Sequence, residues 1–177
     1  MKPLILWGGV DLNPKYYDTY VHSKTQKPNY VRDEHEVALV NEAMFTGRPI
    51  IGVCRGAQLL CVMNDGMLYQ HSEGHNRAHD IYTNTGEVFG FVAADHHQVM
   101  CPQGREYEIL AYDRATTKVW VSEHKTKLLP TVPEVIWWPS TKCLAIQPHP
   151  EWETTNSPFV RWINDIIYNL IGEKGVF

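Results

Sequence analysis

The sequence has no run of basic residues, because each of its 16 lysines and arginines stands between residues of other kinds. Together with a formal net charge of −4, this scatter argues against a nucleic-acid surface, which needs clustered positive charge. The longest apolar stretches fall far short of the roughly 20 residues that cross a bilayer. The first residues also lack the long apolar core of a secretory signal. We therefore expect a cytoplasmic protein that binds neither nucleic acid nor membrane.

Cysteine is scarce, and the spacing of the four cysteines does not indicate metal binding. Cys54, Cys61, Cys101 and Cys143 form neither a CxxC pair nor another metal-type pattern. Cys61 and Cys143 lie in apolar runs, where a reduced cysteine behaves as a small core residue. This usage is typical of a reduced, intracellular chain.

The chain is expected to form a single domain over residues 1–177. Its 44% apolar and 20% charged residues are typical of a globular domain, and it contains no repeat, linker or low-complexity segment. The first third alternates short apolar runs with helical periodicity, which predicts a parallel sheet with helices on its faces. The predicted strands cover residues 4–7 and 49–53, and the predicted helices cover residues 32–46 and 56–63.

The middle of the chain changes character and predicts antiparallel strands. Short segments separated by turn residues predict strands over residues 78–83, 87–93, 107–112 and 117–122. Residues 135–138 and 142–146 flank a Pro-Ser-Thr turn and predict a hairpin, in which one ring of Trp137 and Trp138 faces inward and the other outward. An amphipathic helix over residues 157–170 follows. The predicted class is α/β, with a mostly parallel central sheet and additional antiparallel strands.

A cysteine on a tight turn is the first candidate for chemistry. The apolar run before Cys54 is followed by a helical segment, with Gly52 two residues before the cysteine and Gly56 two residues after it. This layout is typical of a nucleophile elbow, in which the free N–H groups and positive end of the helix lower the thiol pKa. The alternative is a buried cysteine at the end of a core strand, and the paired glycines weigh against it.

A histidine and a glutamate far downstream are a candidate base and its partner. His149 and Glu151 follow an apolar strand and are spaced by two, so on extended backbone both side chains project to the same side. There His149 could exchange a proton with a thiol while Glu151 orients the imidazole. Taken alone, the pair fits a surface loop; with the cysteine elbow, it indicates a Cys54–His149–Glu151 triad. Trp152, the next residue, could form one wall of that site.

Several ordered segments resemble the class I glutamine amidotransferase superfamily, and within it the γ-glutamyl-γ-aminobutyrate hydrolase branch (peptidase family C26). The superfamily motifs are the G-x-C-x-G-x-Q elbow and a late H-P-E, here at residues 52–58 and 149–151. The branch motifs are GG-x-D-x-x-P-x-x-Y, Arg-Asp, Leu-Tyr-Gln and His-His-Gln, here at residues 8–17, 32–33, 68–70 and 96–98. The resemblance implies a flavodoxin-like three-layer sandwich, although the family usually carries another strand and helix before the Gly-Gly loop.

The resemblance also implies roles for residues around the triad. The backbone N–H groups of Gly9 and Arg55 would form an oxyanion hole. Gln58, one helical turn after the cysteine, would hold the α-amino-acid end of a glutamyl substrate. Asp95 departs from the branch, which often has Ser or Asn at this position. Its carboxylate either favours an amine-bearing substrate or caps a turn, and the frequent use of Asp in turns favours the second role. The full set of substrate-binding candidates is Gln58, His96, His97, Gln98 and Tyr17.

The function implied by the resemblance is hydrolysis of a γ-glutamyl amide through a glutamyl thioester, without a cofactor. If ammonia leaves, the chain is a glutaminase that passes ammonia to a separate synthetase partner. If a larger amine leaves, it is a free-standing γ-glutamyl hydrolase, which the branch motifs favour. A catalytically silent binding or regulatory protein is a third possibility, against which the intact triad argues. A homodimer is a further expectation.

Three histidines raise the question of a metal site. His71, His75 and His79 are spaced by four residues, which on a helix would align them as a metal-binding stripe. Gly74 and the polar residues around it instead predict a solvated loop that touches the substrate. The sequence therefore predicts no metal site.

Overall fold

The structure is a computed structural model that describes residues 1–18 and 20–177, and these ranges contain three α-helices. The helices are α1 (Tyr30–Thr46), α2 (Arg55–Met63) and α3 (Pro158–Ile171). Helix α1 begins before the predicted start because the Asn29 side chain accepts a hydrogen bond from Arg32 N at 3.1 Å and caps the helix. In the described ranges, no helix combines the length and apolarity needed to cross a membrane.

The described ranges contain eleven β-strands, and every strand predicted from the sequence is among them. They are β1 (Leu4–Leu6), β2 (Ile50–Val53), β3 (Met67–Tyr69), β4 (His79–Thr83), β5 (Val88–Val92), β6 (Val99–Cys101), β7 (Glu108–Asp113), β8 (Thr117–Ser122), β9 (Lys125–Leu129), β10 (Val132–Trp138) and β11 (Cys143–Ile146). The sequence analysis missed β3, β6 and β9. The first two are too short for an alternating pattern, and two lysines obscure the third.

Seven of these strands form one mixed sheet in the order β1-β2-β11-β10-β7-β4-β5. Strands β1, β2 and β11 pair in parallel, and the remaining neighbours pair antiparallel. This confirms the predicted α/β class, with parallel strands at the elbow and antiparallel strands from the middle of the chain. Because β2 and β11 are parallel neighbours, the loops that leave their carboxyl ends start side by side.

Helices cover both faces of the sheet. Helices α1 and α2 pack on one face in a core that includes Ile50 and Trp138, and α3 packs on the other face with Ile51 and Trp137. The prediction that one tryptophan ring faces outward is wrong, because Trp137 is 6% exposed and Trp138 is fully buried. The two rings do alternate across β10, but each side of the strand meets a covering layer.

Candidate active site

The turn between β2 and α2 holds Cys54 in a strained backbone conformation. Its φ of 50° lies in the left-handed region, which residues with a Cβ rarely adopt. Close packing requires the two flanking glycines. A Cβ on Gly52 would overlap the backbone of Gly56, and a Cβ on Gly56 would overlap the carbonyl of Leu6. The chain therefore forms the elbow expected from the sequence.

Cys54, His149 and Glu151 meet beside the first glycine loop. Cys54 N donates to Ile146 O at 2.9 Å, so the cysteine lies at the end of β2 directly beside the end of β11. A Cβ built on Gly8 would lie 3.0 Å from His149 Cε1 and 3.5 Å from Cys54 Cβ, which places both side chains around one point. His149 Nδ1 lies 2.7 Å from Glu151 Oε1. A thiol, its base and an orienting carboxylate need this arrangement.

The imidazole of His149 is also fixed by its other neighbours. Trp152 stacks on it with ring centroids 3.6 Å apart and 4° between the ring planes, so the tryptophan forms the wall suggested by its place in the sequence. The backbone N–H of His149 donates to Ala93 O at 2.8 Å. Because Nδ1 is engaged by Glu151, Nε2 is the nitrogen left for proton exchange.

The Gly8–Gly9 loop is held in place by the Arg32 side chain. Arg32 Nη1 donates to Gly8 O at 3.0 Å, and Nη2 donates to Trp7 O at 2.8 Å. A Cβ on Gly9 would collide with the Arg32 guanidinium, so glycine at this position lets the arginine lie against the loop. The sequence identified Arg32 only as part of a motif, because its partners lie 24 and 25 residues away.

Arg55 anchors the elbow through a buried charge network. Its guanidinium forms ion pairs with Asp33 and Glu36. Arg32 Nε donates to Glu36 Oε1 at 2.8 Å, and Asn13 N donates to Asp33 Oδ2 at 3.1 Å. These contacts join α1, the elbow and the first loop, and so fix the backbone from which the two candidate oxyanion donors project.

A cleft of about 580 Å³ opens in front of the cysteine. This volume suits a small-molecule substrate. Two acidic residues, Asp11 and Asp95, line it, and the backbone carbonyl oxygen of Asp95 lies 3.9 Å from Cys54 Sγ. The expected site residues on its wall are Gly9, Cys54, Gln58, His96, His97 and Gln98.

Buried amide side chains form the back of this cleft. Gln58 Nε2 lies 3.3 Å from Gln147 Oε1 and 3.5 Å from Gln98 O. Gln98 Nε2 in turn lies 3.5 Å from the Tyr17 hydroxyl. Tyr17 is therefore linked to the cleft wall through Gln98, and its expected contact with substrate stays a prediction. Burial raises the pKa of Tyr17 well above its usual value, so the hydroxyl stays neutral.

His97 joins the two loops on either side of the cleft. Its Nε2 lies 3.0 Å from Asp11 Oδ2, and its Nδ1 lies 3.3 Å from His71 Nδ1. Asp11 Oδ2 also accepts a hydrogen bond from Gln26 N at 2.7 Å. The first loop, the segment after it and the His-His-Gln segment are thereby held together around the cleft.

The match to a known family covers the part of the chain that carries the elbow and most of the cleft. A family model described as Peptidase C26 matches residues 1–128. The chain belongs to the Peptidase C26 family. The matched residues include Cys54, whereas His149 and Glu151 lie beyond them.

Several relatives of this C26 chain are named as candidate glutamine amidotransferases or as glutamine amidotransferase-like proteins. YvdE of Lactococcus lactis subsp. lactis, named as a candidate glutamine amidotransferase-like protein, is 30% identical over 173 residues, which cover 85% of this chain and 67% of YvdE. Rv2859c of Mycobacterium tuberculosis, named as a candidate glutamine amidotransferase, is 36% identical over 89 residues, covering 47% of this chain. Protein NtpR of Enterococcus hirae is 48% identical over 67 residues, covering 38% of this chain. The chain spans only 29% of the length of Rv2859c and 28% of NtpR.

A solved structure shares the fold of this C26 chain. It is a Thermoplasma acidophilum protein described as a candidate component of GMP synthase, with a TM-score of 0.57 and 15% sequence identity. The superposition covers 95% of this chain and 70% of the other. At this identity the likeness shows the fold alone, and it confirms the flavodoxin-like arrangement.

The histidines of the C26 chain that follow β3 divide into two groups. His71 faces the cleft-side His97, whereas His75 Nδ1 and His79 Nε2 lie 3.5 Å and 3.3 Å from Glu134 Oε1. His96 Nε2 lies 3.7 Å from Glu134 Oε2. The predicted solvated loop is therefore wrong for His75, which is 2% exposed. His96, expected to contact substrate, is on the cleft wall and directs its Nε2 toward Glu134.

The electrostatics of this histidine group follow from burial and one carboxylate. Burial lowers the pKa of His96 to about 4, so its imidazole is neutral. For His79 burial acts in the same direction, but the hydrogen bond and charge of Glu134 outweigh it and raise the pKa to about 9. Burial likewise works against ionisation of Glu134, yet the surrounding histidines hold its pKa at about 2. The carboxylate is therefore ionised at neutral pH.

Burial also determines the pKa of Cys54, the cysteine of the elbow. Desolvation raises the pKa of Cys54 to about 12, and the negative charges of Glu151, Asp95 and Asp11 add to this effect. The Arg55 N–H bonds the sulfur and lowers the pKa, but only in part. The expected net lowering of the thiol pKa by the helix end is therefore wrong, because desolvation outweighs it. The proton stays on sulfur until a base removes it.

This protonation state predicts a slow, strongly pH-dependent alkylation of Cys54. We expect the rate of iodoacetamide modification to keep rising up to about pH 10 or beyond, because the thiolate is the reacting form. Mass spectrometry of the Cys54 peptide over a pH series measures this, with glutathione as the control for an ordinary thiol. A plateau already reached near about pH 8 would contradict the prediction and indicate a resting thiolate paired with imidazolium.

Proposed function

We propose that this chain is a cysteine hydrolase that cleaves the amide bond of a γ-glutamyl substrate through a glutamyl thioester. The observation that carries the proposal is the convergence of Cys54 and His149 around Gly8, with Glu151 Oε1 2.7 Å from His149 Nδ1. The elbow, the glycine loop and the amide-lined cleft each fit a step of this chemistry. Membership in the C26 family supports a hydrolase or amidotransferase role.

Acylation begins with proton transfer from Cys54 Sγ to His149 Nε2. The sulfur then attacks the δ-carbonyl carbon of the substrate, and the carbonyl electron pair moves onto oxygen. In this proposal the backbone N–H groups of Gly9 and Arg55 donate to that oxyanion, each worth roughly 3 kcal/mol in the transition state. Glu151 holds the imidazole in the required tautomer and stabilises the imidazolium.

The thioester forms when the C–N bond breaks. His149 gives its proton to the departing nitrogen, which leaves as a neutral amine, and the glutamyl group remains on sulfur. Water then donates a proton to His149 and adds to the thioester carbonyl. Collapse of this second intermediate breaks the C–S bond and releases glutamate, and the thiol is restored.

The cleft supports a substrate with an amine-bearing leaving group. Gln58, Gln98 and His97 offer donors and acceptors for the α-amino and α-carboxylate groups of the glutamyl part. Asp95 is an exposed residue on the same cleft, and its negative charge acts on the Cys54 thiol. Its carboxylate would attract a positively charged group on the leaving amine. A γ-glutamyl diamine can interact both with the amide-lined part of the cleft and with the Asp95 carboxylate. Glutamine has no cationic leaving group for Asp95 to attract.

A substrate panel tests the proposal. Glutamine, γ-glutamyl-aminobutyrate, γ-glutamyl diamines and a folate polyglutamate are incubated with the protein, and released amine, ammonia and glutamate are measured. We expect the fastest glutamate release from the diamine conjugates. Ammonia released from glutamine only in the presence of a synthetase would favour the glutaminase alternative, and no turnover of any γ-glutamyl amide would favour a binding role.

The role of Asp95 predicts a change in specificity. Asp95→Asn is expected to raise KM for a γ-glutamyl diamine several-fold, up to roughly tenfold, with little change for glutamine, because only the cationic substrate loses an attractive charge. Asp165→Asn on the exposed face of α3 is the matched control for a lost surface charge. Equal effects of Asp95→Asn on both substrates would show that the carboxylate serves only the turn.

A further inference from the structure

Four side chains outside the triad converge on one buried point behind the cleft. His75, His79, His96 and Glu134 each offer one nitrogen or oxygen atom, and these atoms all lie within 4.8 Å of one another. Three of these residues are nearly or completely buried, and the side chain of His79 is 12% exposed. None of them takes part in the proposed hydrolysis.

Hydrogen bonds fix the tautomers of two of the histidines. His79 Nδ1 lies 3.1 Å from Arg77 O, and His96 Nδ1 lies 2.9 Å from Gln98 O. A carbonyl oxygen can only accept, so both Nδ1 atoms must carry hydrogen. In the neutral ring the lone pair is then on Nε2, the atom that each histidine directs at Glu134.

The third histidine, His75, is fixed in the other tautomer, with hydrogen on Nε2. His75 Nε2 lies 2.9 Å from Thr117 Oγ1, and that hydroxyl donates its own hydrogen to Ala115 O at 3.1 Å. His75 Nε2 must therefore be the donor to Thr117, which leaves the lone pair on Nδ1. That atom also faces Glu134, at 3.5 Å.

Four acceptors thus face one another with too few donors between them. His75 Nδ1, His96 Nε2 and Glu134 Oε2 are buried atoms that have no hydrogen-bond partner among residues 1–18 and 20–177. A single proton on His79 Nε2 would serve Glu134 Oε1 but would leave these three atoms unpaired. Unpaired buried acceptors are costly, whereas one cation at the centre would satisfy all four groups together.

We propose that His75, His79, His96 and Glu134 bind a divalent transition-metal ion, with zinc as the ion of best fit. Three imidazole nitrogens and one carboxylate oxygen are ligands that zinc accepts, and four protein ligands complete its tetrahedral shell. The second nitrogen of every histidine is already oriented by an oxygen, as is usual for metal-bound imidazole. With its shell closed by protein, the metal would be structural.

The site would fasten the His-His-Gln segment to the sheet. Glu134 comes from β10, His79 from β4 and His96 from the segment that carries His97 into the cleft. His96 N also donates to His75 O at 3.0 Å. A metal at this point would hold one wall of the cleft without touching the substrate.

Metal content tests the site without any activity measurement, so its outcome is independent of the proposed hydrolase function. The full chain is purified without a polyhistidine tag, desalted and analysed by inductively coupled plasma mass spectrometry. We expect about one zinc per chain. Treatment with 1,10-phenanthroline should lower Tm by roughly 5–10 °C, and added zinc should restore it. Cobalt loaded into the treated protein should give the visible absorption of a tetrahedral site.

Matched variants separate this site from other histidines. Glu134→Gln and His79→Gln are expected to abolish stoichiometric zinc, whereas His71→Gln should retain it, because His71 lies outside the four-ligand group. Should a cluster variant fail to fold, the cobalt spectrum of the parent chain still decides whether it has a tetrahedral site. The proposal would be overturned if the parent chain holds no metal and its Tm and spectrum do not respond to zinc or cobalt. In that case protons, and not a metal ion, would link the four side chains.

Discussion

Cys54→Ala is expected to lower kcat/KM for γ-glutamyl amide hydrolysis by a factor on the order of 10⁴ or more. The sulfur supplies the covalent step in the proposed mechanism, and the oxyanion donors alone leave only a small residual rate. The fold should persist, because the substitution removes one atom from a side chain at the surface of the cleft. Steady-state kinetics on the preferred substrate and circular dichroism of the variant measure both effects.

Cys101→Ala is the matched control for loss of a cysteine. Cys101 is partly buried in β6, where its sulfur lies 3.5 Å from the Tyr69 hydroxyl, and it does not line the cleft. We expect hydrolysis by this variant to stay within about twofold of the parent. Equal turnover by Cys54→Ala and the parent chain would remove the nucleophile assignment.

Arg55→Met is expected to lower the free energy of unfolding by about 3–5 kcal/mol, the largest single effect on stability that we predict. The substitution leaves the Asp33 carboxylate, which is fully buried, and the Glu36 carboxylate without their shared guanidinium. Glu36 keeps Arg32, and Asp33 keeps the Asn13 N–H, but neither contact replaces the lost charge. Urea denaturation followed by tryptophan fluorescence measures the change.

Two further variants test this explanation. Arg105→Met removes an exposed ion pair with Asp65 and should cost no more than about 1 kcal/mol. Combining Arg55→Met with Asp33→Asn and Glu36→Gln removes the unpaired charges, so the triple variant should recover part of the stability. If the triple variant is as unstable as Arg55→Met, the loss comes from packing of the arginine side chain and not from uncompensated charge.

Local signals were sufficient to predict the elbow and the class of fold. Gly52 and Gly56 around Cys54 predicted the tight turn, and the structure shows that backbone contacts leave no room for a Cβ at either glycine. Apolar runs and turn residues predicted the principal strands and helices. These features depend on neighbours in sequence or on a simple period, which a single sequence displays directly.

Features made by distant residues were not predictable in the same way. Glu134 lies 55 residues after His79 and 38 after His96 along the chain, and it stands in an apolar strand without any local sign of its partners. The spacing of His75 and His79 suggested a helix or a loop, whereas the convergence of the four side chains depends on how β4 and β10 meet β7 in the sheet.

Burial explains two other errors of sequence reasoning. The positive end of α2 suggested a lowered pKa for Cys54, but the pKa depends on how completely the surrounding loops remove water from the sulfur. Trp137 and Trp138 alternate as expected for a strand, yet the sequence does not reveal that α3 covers the second face of the sheet. Both errors come from packing between elements, which local patterns do not contain.

Trapping of the covalent intermediate tests the central claim most directly. The protein is mixed with a γ-glutamyl substrate, quenched in acid within its first turnovers, digested and analysed by mass spectrometry. We expect a glutamyl group on the peptide that contains Cys54, formed more slowly in Glu151→Gln, because acylation needs an oriented base. Continued release of glutamate with no label on Cys54, or with label on another residue, would contradict the account.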